Sequence, residues 1–581
     1  MLLSVRANKE SFKRVVFTPG FNVILAERTK ESTIKDSRNG LGKSSLIQII
    51  HFCLGGRCSK TLSSDKLTDW TFTLDFECSG QKYSVSRNTT NANKITVKGD
   101  CTNWPIKPGV DKDTGNKIMR VTDWRRLLGA LMFDMQLEYA EQYAPTFRSC
   151  ISYLARQNGE SGGFLEPFTH YRNQQEWDKQ VNNSFLLGLD WTYANKWQIL
   201  KDRKKVLEQL KKETESGILQ EMQGSIGQLE AKKVRLEEEI QKQEKELAAF
   251  KVHPQYARIE RDANQLTSQI HSLINDITSN RKLLNHYEKS VEVEKEADIE
   301  SVETIYKQAG VIMPDNIKKH LEDVKSFHNN VAKNRKQFLQ SEIDRLKNAI
   351  SHSDNKAKVL SDRRAELLSV LQTHGALKEY NKLQQRNAGM VSDLKNVTNQ
   401  LENLKKFEQG KSSLKIDLEL LQQQARLSMN EREKIKQKAI SLFNSNSQFL
   451  YESPGTLSID IKPTGFSFNV NIEREGSHGI SNMKIFCYDL MLAQLWASQK
   501  VSPGFLVHDS ILFADVDERQ KALAIELAAK EAQKLGFQYI CTMNSDNVPY
   551  NDFSEDFNFD QYIRVRLTDK TVNGALFGMR F

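Results

Sequence analysis

Asn39-Gly40-Leu41-Gly42-Lys43-Ser44-Ser45, preceded by the apolar run Phe21-Asn22-Val23-Ile24-Leu25-Ala26 and followed by the apolar stretch Leu46 to Leu54, decides how the chain is read. An apolar strand that breaks into glycines and restarts as a helix presents consecutive backbone N–H groups and a helix N-terminus to an anion. Glycine permits close approach of the backbone, a lysine neutralises phosphate oxygens and the next hydroxyl can ligate Mg²⁺. Lys43 and Ser44 fill the last two roles. The strict spacing asks for glycine at 37, where Ser37 stands, and Glu27 to Arg38 is longer than a minimal strand-to-loop connection.

The complementary half lies near the other end. Phe505-Leu506-Val507-His508-Asp509 is an apolar strand ending in a carboxylate suited to Mg²⁺. Beyond it, Ala514-Asp515-Val516-Asp517-Glu518-Arg519-Gln520 places carboxylates where a loop could meet a second subunit. Asp517 equally reads as the N-cap of the helix that follows.

The two halves are separated by heptad-patterned sequence. Leu229, Leu236, Ile240 and Leu247, then Ile259, Ala263, Leu266, Ile270, Leu273, Ile277, Leu284 and Tyr287, alternate four-and-three spacings. Leu339, Ile343, Leu346 and Ile350, then Leu394, Val397, Leu401 and Leu404, supply a returning series, so the helical partner is intramolecular. The turnaround is expected near Gly310 to Pro314. An unbroken arm of about 100 residues would reach on the order of 150 Å, but Pro254 and Gly375 interrupt the two arms at matching distances from the turn. An elbow is expected there.

The flanking lobes read as α/β. Lys13 to Thr18 and Phe21 to Ala26 are strands around a Pro19-Gly20 turn. Trp70, Phe72, Leu74 and Phe76 alternate with polar residues as in a half-buried antiparallel strand, with Gln81 to Arg87 and Lys94 to Lys98 beside it. After about Leu442 the pattern returns to strands at Thr456 to Lys462 and Phe466 to Ile472. A helix from about Ser481, the strand ending at Asp509, a helix from Asp517 to Leu535 and a strand at Gln538 to Thr542 complete the core.

The expected division is therefore residues 1–190 as an N-terminal lobe, 191–302 as an ascending arm, 303–326 as a tip, 327–441 as a descending arm and 442–581 as a C-terminal lobe. The fold class is α/β, a split head with an antiparallel β side lobe plus a long intramolecular antiparallel coiled coil. The 581 residues carry 39% hydrophobic side chains and a net charge of +9, which permits a polyanionic partner without requiring one. The mean hydropathy of −0.57 suits solvated helix. No run approaches the ~18 apolar residues of a membrane span, and the first residues lack the layout of a signal peptide, so a cytoplasmic location is expected. Cys53, Cys58, Cys78, Cys101, Cys150, Cys487 and Cys541 show no paired C-x-x-C spacing and read as buried thiols.

On these motifs the chain resembles the ABC-type ATPases of the structural-maintenance-of-chromosomes, RecF and RecN group, and within it a bacterial branch with a C-terminal domain of unknown function. Some members of the broader group are ATPase components of multi-gene antiphage systems such as Lamassu. The resemblance implies ATP and Mg²⁺ as ligands, with Asn39, Gly40, Leu41, Gly42, Lys43, Ser44 and Ser45 at the phosphates and Ser44 and Asp509 at the metal. It places Gln157 at the metal and attacking water, and Ser477 and Gly479 in the signature segment offered to a second head, although the usual double glycine is missing. The family's base glutamate is replaced by Ser510, which implies slow hydrolysis unless Asp515, Asp517 or Glu518 substitutes. Cys541-Thr542-Met543-Asn544-Ser545 stands where a switch histidine is expected. Ile305 to Lys319 carries no zinc-hook cysteines.

The resemblance further implies a homodimer formed through ATP-bound heads, arms that bind or sense DNA, and a separate effector, such as a nuclease, with an accessory subunit, in antiphage defence or DNA repair. The alternative is a nucleotide-gated scaffold that holds partner proteins with little or no ATP turnover.

Overall fold

The computed structural model describes residues 1–28, 40–139, 141–157, 162–215, 225–250, 254–293, 315–371, 376–472 and 478–579. In chain order the strands are β1 (Leu2–Ala7), β2 (Val15–Val16), β3 (Gly20–Glu27), β4 (Thr71–Cys78), β5 (Gln81–Asn88), β6 (Lys94–Lys98), β7 (Gly109–Val110), β8 (Lys117–Arg120), β9 (Thr456–Lys462), β10 (Gly465–Asn471), β11 (Phe505–His508), β12 (Gln538–Asn544) and β13 (Ile563–Thr568). The helices are α1 (Lys43–Cys53), α2 (Val121–Phe133), α3 (Phe147–Leu154), α4 (Glu176–Leu186), α5 (Trp191–Glu215), α6 (Ile226–Ala249), α7 (Pro254–Val293), α8 (Asp315–Leu371), α9 (Ala376–Glu431), α10 (Glu433–Leu450), α11 (His478–Ala497) and α12 (Glu518–Leu535).

The chain divides into two compact units, residues 1–206 with 412–581, and residues 207–411. In the first, four parallel strands run in the order β11-β12-β3-β13. The N-terminal strand β3 therefore lies between two C-terminal strands, β12 and β13, of one sheet. β3 and β12 are buried along nearly their whole length, as expected for central parallel strands covered on both faces, which is why both read as apolar runs. β13 was not anticipated: its Ile563, Val565 and Leu567 alternate with Arg564 and Arg566, the pattern of an edge strand.

Seven antiparallel strands form the side lobe, in the order β2-β1-β4-β5-β6-β8-β7. Helix α1 packs against β4 and β5 as well as β12, joining the two sheets. Its end is held by side chains from the lobe: Trp124 Nε1 donates to the Cys53 carbonyl at 2.9 Å and the Arg87 guanidinium to those of Phe52 and Gly56. The Cys53 carbonyl is one that a helix C-terminus otherwise leaves unpaired. Burial and neighbouring guanidinium charge depress Arg87, to about 10, and Arg148, to about 9.

The strands expected at Thr456 to Lys462 and Phe466 to Ile472 form as β9 and β10, with a helix running up to them. α10 continues to Leu450, because Phe443, Ser447 and Leu450 keep a buried helical face against the core.

In the second unit α7 pairs with α8 in antiparallel sense. Arg281 bonds Asp354 at 2.8 Å while Glu288, further along, bonds Lys347, further back, at 2.9 Å. Ala263, Ile270 and Ile277 are buried on α7, and Leu339, Ile343, Leu346 and Ile350 on α8, so the expected seam forms. Thr267 rather than Leu266 completes it, its hydroxyl satisfied by the Ala263 carbonyl at 2.7 Å. Leu229 of α6 packs with Val397 and Leu401 of α9, and Lys405 bonds Glu230 at 2.6 Å. Phe250, just after α6, meets Tyr380, near the start of α9, edge-on at 5.7 Å; Gly375 lies outside the described residues. The turnaround at Gly310 to Pro314 lies outside the described residues.

Candidate functional site

All strands of the parallel sheet end on the same edge, the place where open α/β sheets receive ligands. β3 leads from that edge toward Gly40 and α1. Gly40 and Gly42 have φ of +94° and +97°, outside the ordinary range of L-residues. Gly42 is the N-cap of α1 and, being glycine, contributes no side-chain cap. A helix start of this kind leaves first-turn N–H groups to be satisfied by an anion. Ser44 is exposed there.

Glycine at 42 has a second cause. A Cβ at Gly42 would stand 2.6 Å from Leu576 Cβ. Leu576 is fully buried; its N–H donates to the Leu41 carbonyl at 2.9 Å and its carbonyl accepts from Lys13 N–H at 2.8 Å. The segment Ala575 to Phe577 is thus a wall of the glycine-led loop before α1, a contact that sequence reading missed.

Asp509 directly follows β11 and is 3% exposed. Its Oδ1 accepts from Ser510 Oγ at 3.1 Å and from Thr542 Oγ1, at the end of β12, at 3.5 Å. The Ser510 N–H donates to the same threonine oxygen at 3.1 Å. Oδ2 has no hydrogen-bond partner among the described residues, and neither has the buried Oδ1 of Asn544. An orphaned buried carboxylate oxygen is costly, about 1–3 kcal/mol or more. A hard cation or its water would satisfy it, so the residues fit Mg²⁺. The Arg28 N–H, at the end of β3, donates to Ser545 Oγ at 3.3 Å, tying the three strand ends together.

A parallel bridge between Ala155 and Val507 runs the segment after α3 alongside β11. Gln157 follows Ala155 by two residues and Asp509 follows Val507 by two, so the backbone leading to the glutamine named from sequence runs beside the strand leading to Asp509. Asn39 and Ser477 lie outside the described residues.

Gly479 is buried near the start of α11. A Cβ there would run into the backbone carbonyl of Asp515, so close packing on the loop after Asp509 requires glycine. Asn482 reinforces the contact by donating to the Ala514 carbonyl at 2.9 Å. Asp515 itself sits at φ +59°, which is rare for a side chain with a Cβ. Asp517 caps α12, accepting from the Arg519 N–H and Nε, each at 3.1 Å. The Arg519 hydrogen bond holds its carboxyl below the usual carboxylate range. The cap alternative is thus the one its geometry displays. Ser510 keeps its hydroxyl on Asp509.

Behind this edge lies a polar network that the sequence did not suggest. Arg156 is fully buried and bonds Asp489 of α11 in a fork, Nε at 2.6 Å and Nη2 at 2.8 Å. The same Asp489 oxygen that accepts from Arg156 Nε, Oδ2, also meets His508 Nε2 at 3.2 Å, and His508 Nδ1 meets the Tyr539 hydroxyl at 3.3 Å. Burial holds the His508 imidazole below its ordinary range, against the opposing pull of Asp489. The neutral ring therefore donates from Nε2 to the carboxylate and accepts at Nδ1. A cue existed in sequence only as adjacency: Arg156 precedes Gln157 and His508 precedes Asp509.

Among the described residues no cluster of three His, Cys, Asp or Glu side chains forms a metal site of its own, and no helix is long and apolar enough to cross a membrane. Residues 446–581 match a family model described as an uncharacterised protein conserved in bacteria (DUF2326). The chain is 20% identical to the uncharacterized protein YydD of Bacillus subtilis (strain 168), in a match covering 100% of this chain and 99% of that one. Among solved structures it is similar to the Smc head domain with a coiled coil and joint derived from Pyrococcus yayanosii, at 12% identity over 95% of this chain and 93% of that one, with a TM-score of 0.35. It is also similar to the recombination mediator protein RecF-ATPrS in the RecFOR pathway, at 11% identity over 94% of each chain, with a TM-score of 0.24.

Proposed function

We propose that the chain is an ABC-type, Mg²⁺-dependent ATP-binding protein whose heads pair on ATP and whose arms bind or sense DNA. The observation that carries this reading is the convergence on one sheet edge of the glycine-led start of α1, next to β3, and the partly unsatisfied carboxylate of Asp509, after β11. Lys43 and the N–H groups from Gly40 to Ser45 would receive the phosphates, with Asn39 and Leu41 completing the loop. Ser44 and Asp509 would hold the cation, and Gln157 would orient water beside it. Bound Mg²⁺ would neutralise phosphate charge. Gly479, at the end of α11 that packs on Asp515, would face a second head together with Ser477.

Residues 1–190 and 442–581 would then be the two lobes of one head, 191–302 and 327–441 its arms and 303–326 the tip. The biological setting that fits is antiphage defence or DNA repair, with a separate effector and an accessory subunit. ATP binding and head pairing by the full chain, both lost in Lys43→Ala, test the reading. Unchanged binding and pairing in that variant would refute it.

One observation favours a second reading, a nucleotide-gated scaffold with little turnover. Ser510, in the position where a base is needed, spends its hydroxyl on Asp509, and Asp517 spends its carboxylate on Arg519 and its helix cap. Phosphate release below that expected of even a slow ATPase, alongside intact ATP binding, would select it.

A further inference from the structure

Arg156, Asp489 and His508 come from three segments, each fully buried, and each is bonded to the next. Every donor of Arg156 is engaged. Beyond the fork on Asp489, Nη1 donates to the carbonyls of Gly163 at 2.8 Å and Thr169 at 2.5 Å, and Nη2 to that of Pro167 at 2.5 Å. The guanidinium thereby gathers the carbonyls of Gly163, Pro167 and Thr169 around itself.

A buried ion pair is weak evidence for stability, since desolvation offsets its attraction and well-packed apolar replacements often serve as well. What such a pair supplies is geometry: a planar fork on a carboxylate fixes distance and angle together. Its placement here is specific. Arg156 adjoins Gln157, His508 adjoins Asp509, and Asp489 sits on α11, whose other end packs Gly479 against Asp515.

We propose that Arg156, Asp489 and His508 form a buried strut of positioning residues that holds Gln157 and Asp509 at one spacing for the cation and links that spacing to helix α11. The inference rests on the ATP-site reading above and deepens it. None of the three touches nucleotide; they act through their neighbours. Outer partners of metal-holding groups commonly change metal affinity or activity by about 10–100-fold. The strut also explains why the segment after α3 pairs with β11 at all: the Ala155 to Val507 bridge is clamped from behind by the Arg156 fork.

The test uses the full chain and measures ATP affinity across a Mg²⁺ titration, with amide hydrogen exchange at Ala155 to Gln157 in the nucleotide-free protein. Arg156→Met with Asp489→Leu replaces the pair by apolar side chains; Asp489→Asn keeps the shape and carries the test if the double variant does not fold. The expected result is a folded protein whose Mg²⁺-free ATP affinity matches the parent. Its Mg²⁺ requirement is about ten-fold higher or more, its kcat falls with little change in KM, and exchange at Ala155 to Gln157 is faster. A Mg²⁺ titration and kcat indistinguishable from the parent would overturn the proposal, reducing the network to packing. Lys43→Ala is run alongside. If the parent shows no Mg²⁺-dependent ATP binding, or Lys43→Ala leaves it intact, the ATP-site reading fails and the strut with it. Loss in Lys43→Ala beside parent-like strut variants sinks the strut alone.

Discussion

Replacing Asp509 by asparagine is expected to stabilise the nucleotide-free protein while removing its response to Mg²⁺ and ATP. Asp509 is 3% exposed, and only one of its carboxylate oxygens has partners, the hydroxyls of Ser510 and Thr542. The other is buried without a partner among the described residues. Desolvating an unpaired acceptor costs about 1–3 kcal/mol, and more when the group is charged. Asparagine can keep its oxygen on the two hydroxyls and removes the charge; its NH₂ takes the unpartnered place of Oδ2, but a neutral group costs less to bury there than a charged one. A gain of about 1–2 kcal/mol in the empty protein follows. Ligand at a hundred times its Kd stabilises the parent by about 2.7 kcal/mol, and the variant should lose the Mg²⁺-dependent part of this. The order of stabilities therefore inverts: variant above parent without ligand, parent above variant with it. Thermal unfolding of the full chain, with ATP plus Mg²⁺ and with ATP plus a chelator, reads both differences, each on the order of a few degrees. A variant that melts below the parent when empty would refute the idea that Oδ2 awaits a cation, and so would an undiminished Mg²⁺ response.

Gly42→Ala should destabilise the phosphate loop twice over, by about 1–2 kcal/mol for a left-handed φ and by about 1–3 kcal/mol for overpacking against Leu576; weakened ATP binding by calorimetry checks it. Leu576→Ala should lose about 2–5 kcal/mol and weaken ATP binding at temperatures where the protein stays folded, and parent-like affinity would deny the tail its place in the site. Gly479→Ala pushes a methyl into the Asp515 carbonyl and should lower ATP-dependent head pairing, measured by sedimentation, more than ATP affinity. Leu401→Ala opens the small cluster with Leu229 and Val397 and should cost about 2 kcal/mol, seen as earlier melting of helical circular dichroism.

Local periodicity carried much of the fold. Thr71 to Cys78 could be read as a strand because its alternation reflects one packed face, and Leu339 to Ile350 as a helical seam because a partner helix buries every third or fourth residue. The glycine-led break between β3 and α1 was legible because an apolar run, glycines and a second apolar run follow in that order. Order along the chain also suggested that Phe505 to Asp509 belongs beside it, and the sheet order places β11 and β3 on either side of β12. What stayed hidden depends on contacts between remote segments. Nothing local marks Leu576 as the neighbour of Gly42, or Asp489 as the carboxylate that receives Arg156. β13 escaped sequence reading, although Arg564 and Arg566 fit a sheet edge where Glu27 and Asp560 meet Arg566. Thr267 displaced Leu266 from the seam because helix rotation, set by the partner, decides which of two adjacent residues turns inward.

The claim on which the account turns is that one ATP site is assembled from both ends of the chain. Determining the structure of the full chain with ATP and Mg²⁺ bound tests it most directly. The account expects phosphates on the N–H groups from Gly40 to Ser45 and one cation between Ser44 and Asp509, with Gln157 beside it. Nucleotide bound elsewhere, or a cation that ignores Asp509, would contradict it.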